Sequence, residues 1–171
     1  MAKVTKFYDS YKAVFDAIKT ALVYVPAVPE VPAVPAHDGI PEVPAVPGVP
    51  AHGVSSIKTV IVGEQFSYGA LPKAIINAEP APIAPAEMGG MLDVSVFFSV
   101  VLVIQEYEPK DWFADVISPM GDVIDAVLVD RTLGRKVQDV VPVGFAPGEI
   151  KFADNKVLYV GIVRFKAVLW F

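Results

Sequence analysis

The chain has 171 residues, with 14 Lys plus Arg against 19 Asp plus Glu and a formal net charge of −5. This length suits a single domain with its own core, and net acidity without a basic run argues against a nucleic-acid backbone as the main partner. The absence of cysteine excludes disulfides, thiolate catalysis and cysteine-bound metal, leaving only His37 and His52 for imidazole chemistry.

Apolar Val4, Phe7, Tyr8, Tyr11, Val14, Phe15, Ile18 and Leu22 recur at three and four residues, with Lys3, Lys6, Asp9, Lys12, Asp16 and Lys19 mostly opposite. The spacing predicts an amphipathic helix over 4–24. The opening residues lack a signal-peptide apolar core, so synthesis in the cytoplasm is expected.

A proline-rich insertion, 25–53, follows. Pro26, Pro29, Pro32 and Pro35 are repeated fifteen residues later as Pro41, Pro44, Pro47 and Pro50, and each set is followed by Ala-His. This is a duplicated Pro-x-Val triplet tract. Proline at every third position excludes helix and favours polyproline II, whose three-residue turn aligns the prolines along one edge. Ala36 to Ile40, with Asp38-Gly39 at its centre, has turn chemistry. The expected shape is an extended excursion, out and back. Val28, Val31, Val34, Val43, Val46 and Val49 are its candidate contact residues, and the arm is expected to be mobile alone and ordered on a partner.

Beyond Gly53, β-branched 56–63 reads as a strand, and 74–78 as a second. Three prolines and two glycines mark 80–90 as a loop. The longest strand signal is 91–107. Its apolar run, 94–104, is interrupted by Ser95 and Ser99 and is shorter than the ~20 residues of a membrane span. Val94, Val96, Phe98, Val100, Leu102 and Ile104 share one face, whereas the other is mixed. Pro109-Lys110 opens a helical region, interrupted by Ser118-Pro119 as an N-cap and first-turn proline, so that a kinked helix or two abutting helices are expected. Gly134 is its stop, and 136–143 and 155–171 are the closing strands. The order predicts an α+β fold: a largely antiparallel sheet with helices packed on one face.

No phosphate loop, nucleotide-binding glycine pattern, nucleophile elbow or zinc-protease motif occurs. His37-Asp38 with His52 is the best metal set, but an out-and-back arm would hold the two histidines apart. No catalytic, cofactor-binding or metal residue is therefore assigned, and no enzyme activity or cofactor is expected. Asp115, Asp122 and Asp125 read as a solvated helix side. Trp112, Phe113, Phe97, Phe98, Trp170 and Phe171 read as core or subunit contacts.

The segment from Val127 to Val137 closes a helix with Asp130-Arg131-Thr132-Leu133-Gly134 and enters a strand. It resembles the end-of-helix Asp-x-Thr-Leu-Gly-Gly element of tail terminator (tail completion) proteins of tailed bacteriophages, with Arg135 in place of the second glycine. The order of elements and the Pro72 to Ile76 segment are similar as well, while the proline arms have no counterpart. The resemblance implies a structural virion protein at the tail–head junction: a homo-oligomeric, six-fold ring that ends tube growth. Its implied partners are further copies of itself, the tail tube protein and a head-side connector or stopper, with no specific nucleic acid and no membrane. The second faces of the two long strands then supply the interface, with Phe97, Val101, Val103, Val160, Ile162, Val168 and Trp170 as candidates. The alternatives are another ring-forming neck or tail protein, a proline-rich adaptor presenting polyproline II to an aromatic groove, and, third, a metal enzyme using the histidines.

Overall fold

The three-and-four spacing of apolar residues produces α1 (Ala2–Leu22), the first element of the computed structural model. The structure describes residues 2–35, 44–63, 70–80, 83–85, 92–105, 109–151 and 157–169. The sheet is built from β1 (Thr59–Val62), β2 (Lys73–Glu79), β4 (Leu92–Gln105), β5 (Val137–Lys151) and β6 (Val157–Leu169) in the order β1-β2-β4-β6-β5. A short β3 (Ile83–Pro85) also pairs with β4. Only β1 and β2 run parallel, so the fold is α+β with a mostly antiparallel sheet.

Strict alternation along β4 and β6 separates the two faces of the sheet. Val96, Phe98, Val100 and Leu102 join Val163, Phe165, Ala167 and Leu169 on the face covered by α1 and α2 (Ser118–Leu128). From the helices come Val14, Phe15, Ile18 and Leu22, and Val116, Met120, Val123 and Val127. Phe98 stacks on Phe165 at 5.1 Å and meets the edge of Phe15 at 6.2 Å, so three distant segments close on one aromatic group. Met120 lies directly over Gly161, where a Cβ would come 2.6 Å from its Cγ. That missing side chain lets α2 settle close to the sheet.

Two helical elements abut at Ser118-Pro119, with the proline in the first turn of the second, as the sequence suggests, while two expectations need correction. The helical region begins as a π-helical turn, Phe113–Ile117, in which the Ser118 amide donates to the Phe113 carbonyl. Pro119 has no amide to continue an α-helical ladder at this point, and the wider turn accommodates its ring. Ser118 makes no side-chain cap; Asp111 Oδ1 caps the turn instead, accepting from the amides of Phe113 at 2.9 Å and Ala114 at 3.3 Å. Finally, the strand expected over 136–143 runs on to Lys151, through Pro142, Gly144, Pro147 and Gly148. Proline and glycine weaken a strand signal, yet an edge strand tolerates them because one side of its backbone needs no partner.

Candidate functional site

Two surfaces stand out, the proline insertion and the sheet face that the helices leave open. In the insertion the arms are bonded to one another. Val25, Val28 and Val31 pair antiparallel with His52, Val49 and Val46, and each pair exchanges two backbone hydrogen bonds of 2.8–3.1 Å. Pairing recurs every third residue, the period of the Pro-x-Val triplet, whereas a β-ladder repeats every second. Proline cannot donate, so the valine amide is the group each triplet commits to the opposite arm. His52 occupies the valine position of its triplet, as the last partner before the core.

The base of this ribbon is fixed to α1. The Val54 amide donates to the Leu22 carbonyl at 3.2 Å. Gly53 adopts φ +81°, and a Cβ there would overlap the Val23 carbonyl, so only glycine fits. Farther out, Gly48 lies against the opposite arm, where a Cβ would come 3.0 Å from the Glu30 nitrogen and the Val28 oxygen. Val28, Val31, Val34, Val46 and Val49 remain 45–57% exposed. They form an apolar stripe on a hydrogen-bonded scaffold. Val43, His37, Asp38 and the turn expected over 36–40 lie outside the described residues.

On the open sheet face, Phe97, Val101, Ile162 and Val168 are half-buried, but Val103 and Val160 are 1% and 3% exposed. Those two pack with Ile75, flanked by Leu71, Val101, Ile150 and Leu158, in a small second core. They therefore have no surface to offer a neighbour, correcting the expectation for this pair. Alternation assigned the correct face but could not show that the chain itself covers one end of it. Beside this apolar end runs a polar row, in which Asn77, Ser99 and Arg164 stand in register. Arg164 Nε reaches Glu79 Oε1 at 3.1 Å, and Asn77 Oδ1 is buried without a hydrogen-bond partner. Trp170 lies outside the described residues.

The Asp130–Gly134 segment forms a tight left-handed turn. Leu133, Gly134 and Arg135 all have positive φ, at 47°, 66° and 64°. Two non-glycine residues in this region cost about 1–3 kcal/mol each, so the conformation needs external support. Asp130 supplies it. Its Oδ1 accepts from the Thr132 hydroxyl at 2.6 Å and the Thr132 amide at 2.9 Å, and its Oδ2 from the Gly134 amide at 2.7 Å. The Thr132 hydroxyl, and then the Gly134 and Thr132 amides, hold the Asp130 carboxyl below the usual carboxylate range. Leu133 is thereby driven into the core, 5% exposed. Arg131 grips Asp139 on β5 in a bidentate pair, with Nε to Oδ1 at 2.7 Å. The motif is thus a structural joint between α2 and β5.

A cleft of about 870 Å³ lies between α1, the ribbon base, α2 and this turn, lined by Thr20, His52, Asp122, Asp125 and Asp130 among others. Among the described residues no group of three or more His, Asp or Glu side chains is placed to hold a metal ion, and no helix is long and apolar enough to cross a membrane. The cleft brings His52 near carboxylates without converging them on one point. No protein-family model and no curated protein matches the chain.

Proposed function

We propose that this chain is a structural subunit that assembles with copies of itself into a ring at the head-proximal end of a bacteriophage tail, ending tube growth and docking a head-side connector. The observation that carries this reading is the one-sided sheet. Both helices cover one face, while the other presents Phe97, Val101, Ile162 and Val168 half-covered around a small apolar core. A face of this kind is an association surface, and a closed ring buries it with no copy left over.

The edges of the sheet restrict how that burial occurs. β5 carries Pro142, Pro147 and two register shifts, features that discourage open-ended strand addition. The open face, rather than the β5 edge, is therefore the surface that suits a neighbour. The joint of Asp130 to Gly134 between helix and strand, together with the order of elements, supports a tail-terminator-like subunit with the tail tube and head-side connector as partners. The adaptor reading is weaker, because each valine amide and carbonyl of the paired triplets is committed to the opposite arm. A groove would have to accept a two-stranded ribbon instead of a lone polyproline helix.

Native mass spectrometry with negative-stain imaging tests the proposal. The expected result is a closed oligomer, six subunits with a central channel. A compact monomer at all concentrations overturns it.

A further inference from the structure

The ribbon uses only half of its backbone donors. In the triplets of Val28, Val31, Val46 and Val49 the valine amide bonds across the ribbon and proline has none, which leaves the x-position amide. Among the described residues, the amides of Ala27, Glu30, Ala33, Ala45, Gly48 and Ala51 donate to no protein acceptor, and all six residues are exposed. In a three-residue turn, neighbouring residues point about a third of a turn apart. The x-position groups therefore form a separate row along the ribbon, with the spacing of the valine row.

That spacing limits the partner. Donors recurring every three residues, at ~3.1 Å per residue, are roughly 9 Å apart. A β-strand edge offers equivalent groups every two residues, roughly 6.8 Å apart, and falls out of step after one bond. Another chain of triplet period stays in step. The duplicated tract provides such a chain in every copy of the protein, and the valine row already shows that two such rows pair antiparallel with reciprocal bonds.

Charge and size select the arm. The first arm has Glu30 in its x-row, and a pairing centred on that residue would oppose two carboxylates. The second arm's x-row also holds a glutamate, Glu42, but a contact centred on Gly48 pairs only Ala45, Gly48 and Ala51, which are uncharged and small. We infer that two copies of this chain pair through their second arms, antiparallel and centred on Gly48, so that Ala45 of each copy faces Ala51 of the other. The contact is two-fold and self-complementary, distinct from the open sheet face and independent of the ring proposed above.

The chain has no cysteine, so a single introduced thiol can form a disulfide only between copies. Full-length Ala45→Cys and Ala51→Cys chains, each distinguishable by mass, are mixed and mildly oxidised. Directly opposed residues of an antiparallel pair lie about 5.5 Å apart at Cα, within disulfide reach. The mixture is expected to give mainly dimers with one chain of each kind, over at least tenfold fewer dimers of either kind with itself. Absence of dimers, or same-kind dimers in equal yield, overturns the inference. A second arm uses Ala45→Pro/Ala51→Pro, which keeps the extended backbone but removes the outward donors, against Ala45→Ser/Ala51→Ser, which keeps them. The proline pair is expected to weaken arm-dependent association by roughly tenfold or more, at about 1 kcal/mol per hydrogen bond. Equal association of the proline and serine chains contradicts the pairing.

Discussion

The core and the ribbon solve backbone pairing in opposite ways. In the core, hydrogen bonds repeat every two residues and alternate side chains go to a buried face, so pairing and burial reinforce each other. In the ribbon the bonds repeat every three residues, and the bonded valines stay about half exposed. Among the described residues its order rests on proline, which limits the freedom of the unfolded chain, and on six backbone bonds, with little apolar burial. Stability resides in one region and reach in the other. At ~3.1 Å per residue, ten residues from first to last proline carry an arm roughly 30 Å, about the width of a small domain.

Changes in the core therefore have the largest expected effects. Phe98→Ala removes the ring that stacks on Phe165 and should cost about 3–5 kcal/mol in urea unfolding, enough to unfold much of the population. Gly53→Ala strikes where the two regions meet. The strained φ alone costs about 1–3 kcal/mol, and the overlap with Val23 adds to it. Hydrogen exchange should show faster exchange at the Val25 and His52 amides, with the amides of β4 still protected. Equal acceleration everywhere would show that ribbon and core are one cooperative unit.

Ile162→Glu tests the open face. Its cross-strand neighbours are Val101 and Ala146, so a carboxylate there meets no cation within the row. Sedimentation should show loss of the assembled species while the circular dichroism of the subunit is retained. Asp130 makes a pH-dependent contribution. Because its folded pKa is depressed, its stabilisation is present above the unfolded carboxylate value and lost as the pH falls through the folded one. Asp130→Asn should therefore lower the melting temperature at neutral pH and flatten its fall on acidification. The smallest effect belongs to Arg131→Ala, because its pair with Asp139 is exposed and worth about 0–1 kcal/mol.

What was legible in the sequence followed from periodicity with a burial consequence. α1, β4 and β6 each expose one apolar face, and the sequence pattern assigned those faces correctly. Elements lacking that signal were missed. The far half of β5 carries no strand signal because Gly144, Pro147 and Gly148 are tolerated only through its edge position, a property of the assembled sheet. β3 is three residues long and lies among prolines. The π-helical turn depends on how the backbone adjusts to Pro119. The Asp130 to Gly134 segment was recognisable as a helix end, but its successive left-handed residues were not, since Leu133 and Arg135 do not advertise positive φ. Burial of Val103 and Val160 required knowing that Ile75, Leu71, Ile150 and Leu158 gather over one end of the open face.

The division between a self-sufficient core and an outward-acting ribbon is tested most directly by deleting Ala27 to Val49 and closing the gap with a short Gly-Ser linker. Thermal unfolding of the deleted chain should match that of the full chain, because none of the removed residues belongs to either apolar core. Attachment to a neighbouring ring or to the head-side partner should be weakened in the same preparation. A deleted chain that loses its cooperative transition, or one that assembles, docks and supports infectious particles as well as the full chain, would contradict the account.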